Sequence, residues 1–335
     1  MPPEKIALKE YIEDGLKWGT LQHLQAPNAC SFFFIDKKDG KLHPVQEYCL
    51  LNAITRKHVA PIPLIPELID KLLEAQFFTK LDVQWGYNNI RIWEGDEWKT
   101  TFKTPMGLYE SLVMNFGLCN MPATFQMFMD EQFKVLIATG HVVVYLDDIL
   151  IFADNEAELE QLTHKVLQRL LDLDLFLWLE KYSFNKTAVE YLGLIISEGE
   201  LCIDLVKLEA VQKWPRPKTV KDTQKFLGFC NFYCRFVKAY SELACPLFDL
   251  TKKEMPFIWT DWHDHAFMGL QDALTLSPVL LLPDYGKPFT VYTDASDYAT
   301  SAILEQNDAL GCSHLVANRC CQFYILRNNN AGEKK

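Results

Sequence analysis

The 335-residue chain lacks any apolar run long enough to span a membrane, and its first residues, Met1-Pro-Pro-Glu-Lys5, lack the apolar core of a secretory leader. Both absences predict an intracellular protein, cytoplasmic or nuclear, with no membrane partner. Its ten cysteines show no C-x-x-C spacing, and Cys230 and Cys234 have no histidines nearby to complete a zinc site, so free thiols are expected. Repeats and low-complexity tracts are missing too, and the tail over 327–335 is polar and expected to fray. Basic residues are in short supply: 33 Lys and Arg against 44 Asp and Glu leave a net charge of −11, which argues at first against a phosphate-rich partner. The shortage is uneven. Between Ile203 and Pro256, ten basic residues face six acidic ones, a local +4 that leaves −15 for the remainder. Such a segment suits a groove for a polyanionic polymer, and equally a solvated helix face.

What is present reads as an ordinary globular chain, 49% hydrophobic and 23% charged, with room for two or more domains. Apolar positions at helical spacing predict an amphipathic helix over 4–19. Ser31-Phe-Phe-Phe-Ile35, the Asp39-Gly40 turn and Leu42 to Tyr48 predict a hairpin. After prolines 61, 63 and 66 a helix is expected over 67–75, then a core strand, Phe77 to Val83, that ends near Asp82. Trp98 to Phe102 alternates like a strand, and Pro122 opens a helix running to about Thr139. A second long helix is expected over 156–174, and a hairpin with Tyr191 to Ile196 as its first strand. Short helices broken at Pro215 and Pro217 follow, then a helix over 264–276 and a strand over 289–295.

The stretch Val142-Val-Val-Tyr-Leu-Asp-Asp-Ile-Leu-Ile-Phe152 sets two adjacent acids into an apolar, β-branched run. It predicts two short buried strands with Asp147 and Asp148 at the turn between them. Turns often carry an Asp for conformational reasons alone. Buried carboxylates, however, need a cation, a hydrogen-bond cage or water. Asp82, also at a strand end, suggests neighbouring strands delivering acids to one point, where hard oxygen ligands select Mg²⁺ or Mn²⁺. The spacing by itself does not separate a polymerase from another Mg²⁺-dependent phosphotransferase. A phosphotransferase of the haloacid-dehalogenase type would need an Asp-x-Asp loop, which the adjacent pair does not supply.

The surrounding words are more specific. Phe78-Thr-Lys-Leu-Asp-Val-Gln-Trp-Gly-Tyr-Asn-Asn-Ile-Arg-Ile92, Asn115-Phe-Gly-Leu-Cys-Asn-Met-Pro-Ala-Thr-Phe-Gln126, Tyr145-Leu-Asp-Asp-Ile-Leu-Ile151, Tyr191-Leu-Gly-Leu-Ile-Ile-Ser197 and Thr293-Asp-Ala-Ser296 resemble the reverse transcriptase region of gypsy-type long-terminal-repeat retrotransposons, with a fungal flavour. The resemblance implies an α+β fold: a right-hand polymerase of fingers, palm and thumb with an antiparallel palm sheet, followed by an incomplete ribonuclease H-like α/β unit. It implies fingers over 1–76, palm over 77–198, a basic thumb over 199–256, and a connection with a truncated ribonuclease H-like segment over 257–335. It places Asp82, Asp147 and Asp148 on the metal-binding catalytic acids. It places Lys37, Lys41, His43, Tyr87, Phe116, Gly117 and Gln126 around the nucleotide, with Tyr87 as the aromatic that blocks a ribose 2′-OH. Tyr191, Leu192 and Gly193 fall on the primer grip, and Asp294 on a residual ribonuclease H acid. The implied partners are an RNA or DNA template–primer and deoxynucleoside triphosphates, with Mg²⁺ as cofactor and Mn²⁺ as an alternative; oligomeric state is left open.

Two departures qualify the resemblance. The family ordinarily carries Arg, Asp and Arg where this chain has His43, Glu47 and Cys49, so a permanently charged, bidentate contact to triphosphate is replaced by an imidazole. Only 41 residues follow Asp294 (335 − 294), too few for the family's four-acid ribonuclease H site, so that activity is not expected. The alternative to an RNA- and DNA-directed DNA polymerase core is therefore a catalytically inactive retrotransposon remnant that at most binds nucleic acid.

Overall fold

The computed structural model describes residues 3–24, 29–36, 42–58, 63, 68, 71–72, 75–178, 180–198, 200–237, 239–253, 255–276, 280–281, 286–295, 299–307 and 313–322. The chain divides into two compact units, Met1–Lys71 with Ala75–Lys186, and Leu72–Glu74 with Thr187–Lys335. The division falls inside the stretch expected as palm.

In chain order the first unit carries helix α1 (Pro3–Lys17), strands β1 (Leu21–His23), β2 (Cys30–Asp36) and β3 (Leu42–Gln46), and helix α2 (Cys49–Ile54). Strands β4 (Phe77–Asp82), β5 (Phe102–Thr104) and β6 (Gly107–Ser111) follow, then helix α3 (Met121–Ile137), strands β7 (Val142–Tyr145) and β8 (Asp148–Ala153), helix α4 (Glu156–Asp172) and strand β9 (Ser183–Lys186). They build two sheets, in the orders β1-β6-β5-β2-β3 and β7-β8-β4-β9. The second sheet positions the site. Strands β7 and β8 are buried on both faces over Val142–Val144 and Ile149–Ala153, and Leu81, Ile149 and Ile151 bury against Phe125, Met129 and Phe133 of α3 and Val166 and Leu170 of α4. Helix α3 starts with Pro122 in its first turn, where a missing N–H costs nothing. Helix α4 is capped by Asn155, whose side chain accepts from Glu158 N. In the first sheet α1 buries Leu8 and Ile12 against Leu21, Phe102 and Tyr109.

The second unit contains strands β10 (Ala188–Tyr191), β11 (Leu194–Ser197) and β12 (Glu200–Ile203), then helices α5 (Leu205–Gln212), α6 (Val220–Phe232), α7 (Tyr240–Asp249) and α8 (Asp261–Thr275). Strands β13 (Leu280–Leu281), β14 (Thr290–Ala295), β15 (Ala299–Asn307) and β16 (Ser313–Gln322) complete it. Its sheets run β10-β11-β12-β13 and β14-β15-β16, with neighbours antiparallel.

Two expectations are corrected. Trp98 to Thr100 lies in a 3-10 turn, Glu97–Thr100, and the strand begins only at Phe102. The hydroxyls of Thr100 and Thr101 donate to the carbonyls of Glu97 and Trp98, and these local bonds outcompete a ladder. Tyr191 to Ile196 is not one strand: Tyr191 ends β10, Leu192 and Gly193 turn, and β11 begins at Leu194. Leu192 adopts φ 52°, a left-handed conformation that leucine rarely takes, so nothing in its chemistry announced a turn. The turn at 37–41, most of the helix expected over 67–75, Ser296 and the tail lie outside the described residues. Among the described residues, no helix is long and apolar enough to cross a membrane.

Candidate active site

Strands β4 and β8 pair so that Asp82 stands directly opposite Asp148, which puts the two side chains on one face of the sheet. Asp147 lies in the turn just before β8, and its carbonyl accepts from Val83 N at 2.8 Å, carrying the ladder past Asp82. The turn is tight: Tyr145 pairs with Asp148, and Leu146 between them sits at φ 53°. A non-glycine residue there stores about 1–2 kcal/mol of strain, which persists only where neighbours over-determine the turn. Gln126 of α3 supplies that restraint. Its carboxamide oxygen accepts from Leu146 N at 2.8 Å, while its NH₂ donates to Val144 O at 3.1 Å and to Asp130 Oδ1 at 2.8 Å.

The three acids are neutralised unequally. Lys181 Nζ lies 3.2 Å from Asp82 Oδ2, and Lys80 Nζ lies 3.6 Å from Asp148 Oδ1. Asp147 Oδ1 is buried with no hydrogen-bond partner. It turns toward Gly86, where a methyl would overlap it and stand 2.7 Å from the Phe125 ring; only glycine leaves that space. Burial, then the charges of Asp82 and Asp148, push the Asp147 carboxyl up to about 6, against a lowering pull from Lys181. Burial also raises Asp148, with Lys80 the main opposing influence. As they stand, no three His, Cys, Asp or Glu side chains among the described residues are gathered closely enough to hold a metal ion. The donor set still fits a hard divalent cation: three carboxylates at one sheet end, one with a buried oxygen that nothing satisfies.

Beside the acids the structure assembles four residues expected around a nucleotide. The Tyr87 ring lies 5.5 Å from Phe116 and 5.2 Å from Phe125, and Phe116 lies 5.0 Å from the His43 imidazole on β3. Tyr87 is pushed up to about 12 by burial and then by Asp147, so its hydroxyl stays protonated. Gly117 has φ +100°, and a Cβ there would meet Gln46 O at 3.1 Å, so the 115–120 loop runs close against β3. Asn52 ties the same loop down, donating to Gly117 O at 2.7 Å and accepting from Cys119 N at 2.9 Å. Gln126 is the exception. It is fully buried with both ends of its amide engaged, so it holds the Asp147 turn rather than a nucleotide. Lys37 and Lys41 lie outside the described residues.

In the second unit, Tyr191 ends β10 and Leu192 and Gly193 form the β10–β11 turn, where Tyr233 Oη donates to Gly193 O at 3.2 Å. Asp294 lies on β14, exposed, opposite Ser301 of β15. Sequence reasoning missed Lys80, Lys181 and Gly86. Lys80 carried a signal, being two residues from Asp82 on the same strand face; Lys181, 99 residues distant, carried none.

A sheet end that pairs acids across two strands, backed by two helices, is the arrangement expected of a polymerase fold, and solved structures agree on that fold. The chain is similar to the foamy viral protease-reverse transcriptase in complex with dsDNA at TM-score 0.82 and 23% identity, over 97% of this chain and 67% of that one. The same viral protein in complex with RNA/DNA hybrid matches at TM-score 0.78 and 22% identity, over 97% of this chain and 44% of that one. The fold is the α+β right-hand polymerase fold. Residues 35–196 match the reverse transcriptase (RNA-dependent DNA polymerase) family, and 259–319 match the RNase H-like domain found in reverse transcriptase. The Transposon Tf2-3 and Tf2-7 polyproteins of Schizosaccharomyces pombe are each 36% identical over 307 residues, 91% of this chain. The chain spans 23% of the length of those polyproteins. It belongs to the reverse transcriptases of gypsy-type long-terminal-repeat retrotransposons.

Proposed function

We propose that the chain is an RNA- and DNA-directed DNA polymerase core, taking a template–primer and deoxynucleoside triphosphates, with fingers, palm, thumb and ribonuclease H-like segment at the boundaries expected above. The observation that carries this reading is the pairing of Asp82 with Asp148 beside the unsatisfied Asp147 oxygen. Asp82, Asp147 and Asp148 would hold Mg²⁺ or Mn²⁺, which when bound supplies Lewis acidity to the attacking and leaving oxygens of nucleotidyl transfer. The chain's own residues do the rest. Gln126 and the β4–β8 ladder keep the acids in place, and Gly86 leaves room for Asp147. Tyr87, braced by Phe116 and Phe125, walls the sugar side and excludes a 2′-OH; Tyr87→Ala should relax the deoxy-over-ribo preference, and an unchanged preference removes that role. The Leu192–Gly193 turn holds the primer strand. A cytoplasmic or nuclear location belongs to the same reading, since its substrates are found there.

The test is primer extension on a homopolymeric RNA template with Mg²⁺ and with Mn²⁺, beside Asp147→Asn. Extension by the wild-type chain alone supports the proposal. The second reading, an inactive remnant that binds nucleic acid, is favoured by His43 and Cys49 standing in place of arginines. Template binding without extension in either metal selects that reading, and extension restored by His43→Arg traces the loss to position 43.

A further inference from the structure

The three acids have different neighbours. Asp82 faces Lys181, Asp148 faces Lys80, and Asp147 faces Gly86. The two lysines differ in kind. Lys181 is a loop residue, 59% exposed, its ammonium also 5.6 Å from the Trp178 ring, so solvent screens it and its side chain is free to swing away. Lys80 is 21% exposed and stands on β4 between the buried Thr79 and Leu81. Its backbone is in register with both Leu150 of β8 and Ser183 of β9. Alternation along β4 puts Lys80 on the face that carries Asp82, so its ammonium is delivered to the acids by the sheet itself.

We infer that Lys80 is a resident counter-cation of the carboxylate cluster, which holds Asp148 in the metal-free protein and which a divalent ion must displace. The inference rests on the proposed metal site. Two cations on one half-buried carboxylate repel each other, so the ammonium at Asp148 raises the free energy of the metal-bound state while lowering that of the metal-free one. Because the backbone of Lys80 is fixed on both sides, displacement is a swing of its side chain, and the competing charge stays close. Lys80 thus sets how much divalent ion the site requires, and offsets one of the three carboxylate charges at the sheet end when no metal is present.

The test uses the full chain with Lys80→Met, which keeps the stem and removes the charge, and Lys80→Arg, which keeps the charge. Mn²⁺ binding is followed by the paramagnetic resonance of the free ion, and melting is recorded in EDTA and in Mg²⁺. Lys80→Met is expected to bind Mn²⁺ about fivefold more tightly, as for loss of one partly screened ion pair. It should melt lower than wild type in EDTA and gain more from Mg²⁺, while Lys80→Arg behaves as wild type. If Lys80→Met misfolds, Lys80→Gln is read in the same way. Equal or weaker Mn²⁺ binding by the uncharged variant, with Asp147→Asn weakened as a ligand should be, overturns the role of Lys80 and leaves the metal site standing. The same change in Lys80→Met and Lys80→Arg also overturns it. Wild type binding no more Mn²⁺ than Asp147→Asn removes the metal site and the inference together.

Discussion

Asp147 keeps a carboxylate where burial and two neighbouring acids all oppose its charge, with Lys181 as the modest counterweight and Lys80 acting one acid further away. In the metal-free protein it binds its proton more tightly folded than unfolded, at about 6 against 3.8. Its contribution to stability is therefore complete below about pH 4 and is lost as pH rises through about 6. Asp147→Asn removes that loss. In EDTA at pH 7 the variant should be more stable than wild type by about 1 kcal/mol, discounted for the solvent that reaches the site, with a flatter stability profile between about pH 4 and 6. Urea unfolding at several pH values checks this; a variant no more stable than wild type at pH 7 refutes the burial account. Gly86 makes the companion case. Gly86→Ala forces either the Asp147 carboxylate or the Phe125 ring to move, so it should cost about 2 kcal/mol and weaken Mn²⁺ binding. Wild-type stability together with wild-type Mn²⁺ binding would show that the cradle yields freely.

Helix α3 and the β7–β8 hairpin are joined by the Gln126 amide, an element-to-element tie that makes a strained turn tolerable. Gln126→Leu should fit the space yet strand Leu146 N and Val144 O without their partner, at a cost of about 2–3 kcal/mol. The loss should be visible in urea midpoints and accompanied by weaker Mn²⁺ binding, because the Asp147 turn loses its brace. A stable variant with normal metal affinity would mean the ladder alone holds the turn. Elements were legible wherever pattern decided them: α1, α3, α4, β4 and the β7–β8 hairpin all follow from apolar period and capping. They were illegible where a side chain bonded its own backbone, as at Thr100 and Thr101, or where the ladder imposed a left-handed leucine, as at Leu192.

The whole molecule is acidic at −11, so the template–primer binding proposed above has to rely on local charge. Several bases of the Ile203–Pro256 segment are already spent internally: Lys213 on Glu209, Lys225 on Asp222, Lys252 on Asp249 and Arg216 on Asp264. Lys218 and Lys221 are exposed at the start of α6 and remain candidates for phosphate contact. Template–primer affinity should fall steeply between roughly 50 and 200 mM salt, and replacing both lysines with Gln should lower the log–log slope by about two. Fluorescence anisotropy with labelled duplex reads this directly. An unchanged slope would place the phosphate contacts elsewhere on the chain.

The order of residues alone determined that Asp82 and the Asp147–Asp148 pair sit at strand ends, that long amphipathic helices back those strands, and which family the words belong to. These properties depend on local period and on motif, and both are written along the chain. Only tertiary structure decided what surrounds each acid. Lys181 reaches Asp82 from 99 residues away, Gln126 braces a turn 20 residues on, and Gly86 yields its space to Asp147. The reason is physical: burial, charge pairing and close approach depend on distances between segments that only folding brings together, and no spacing along the chain encodes them.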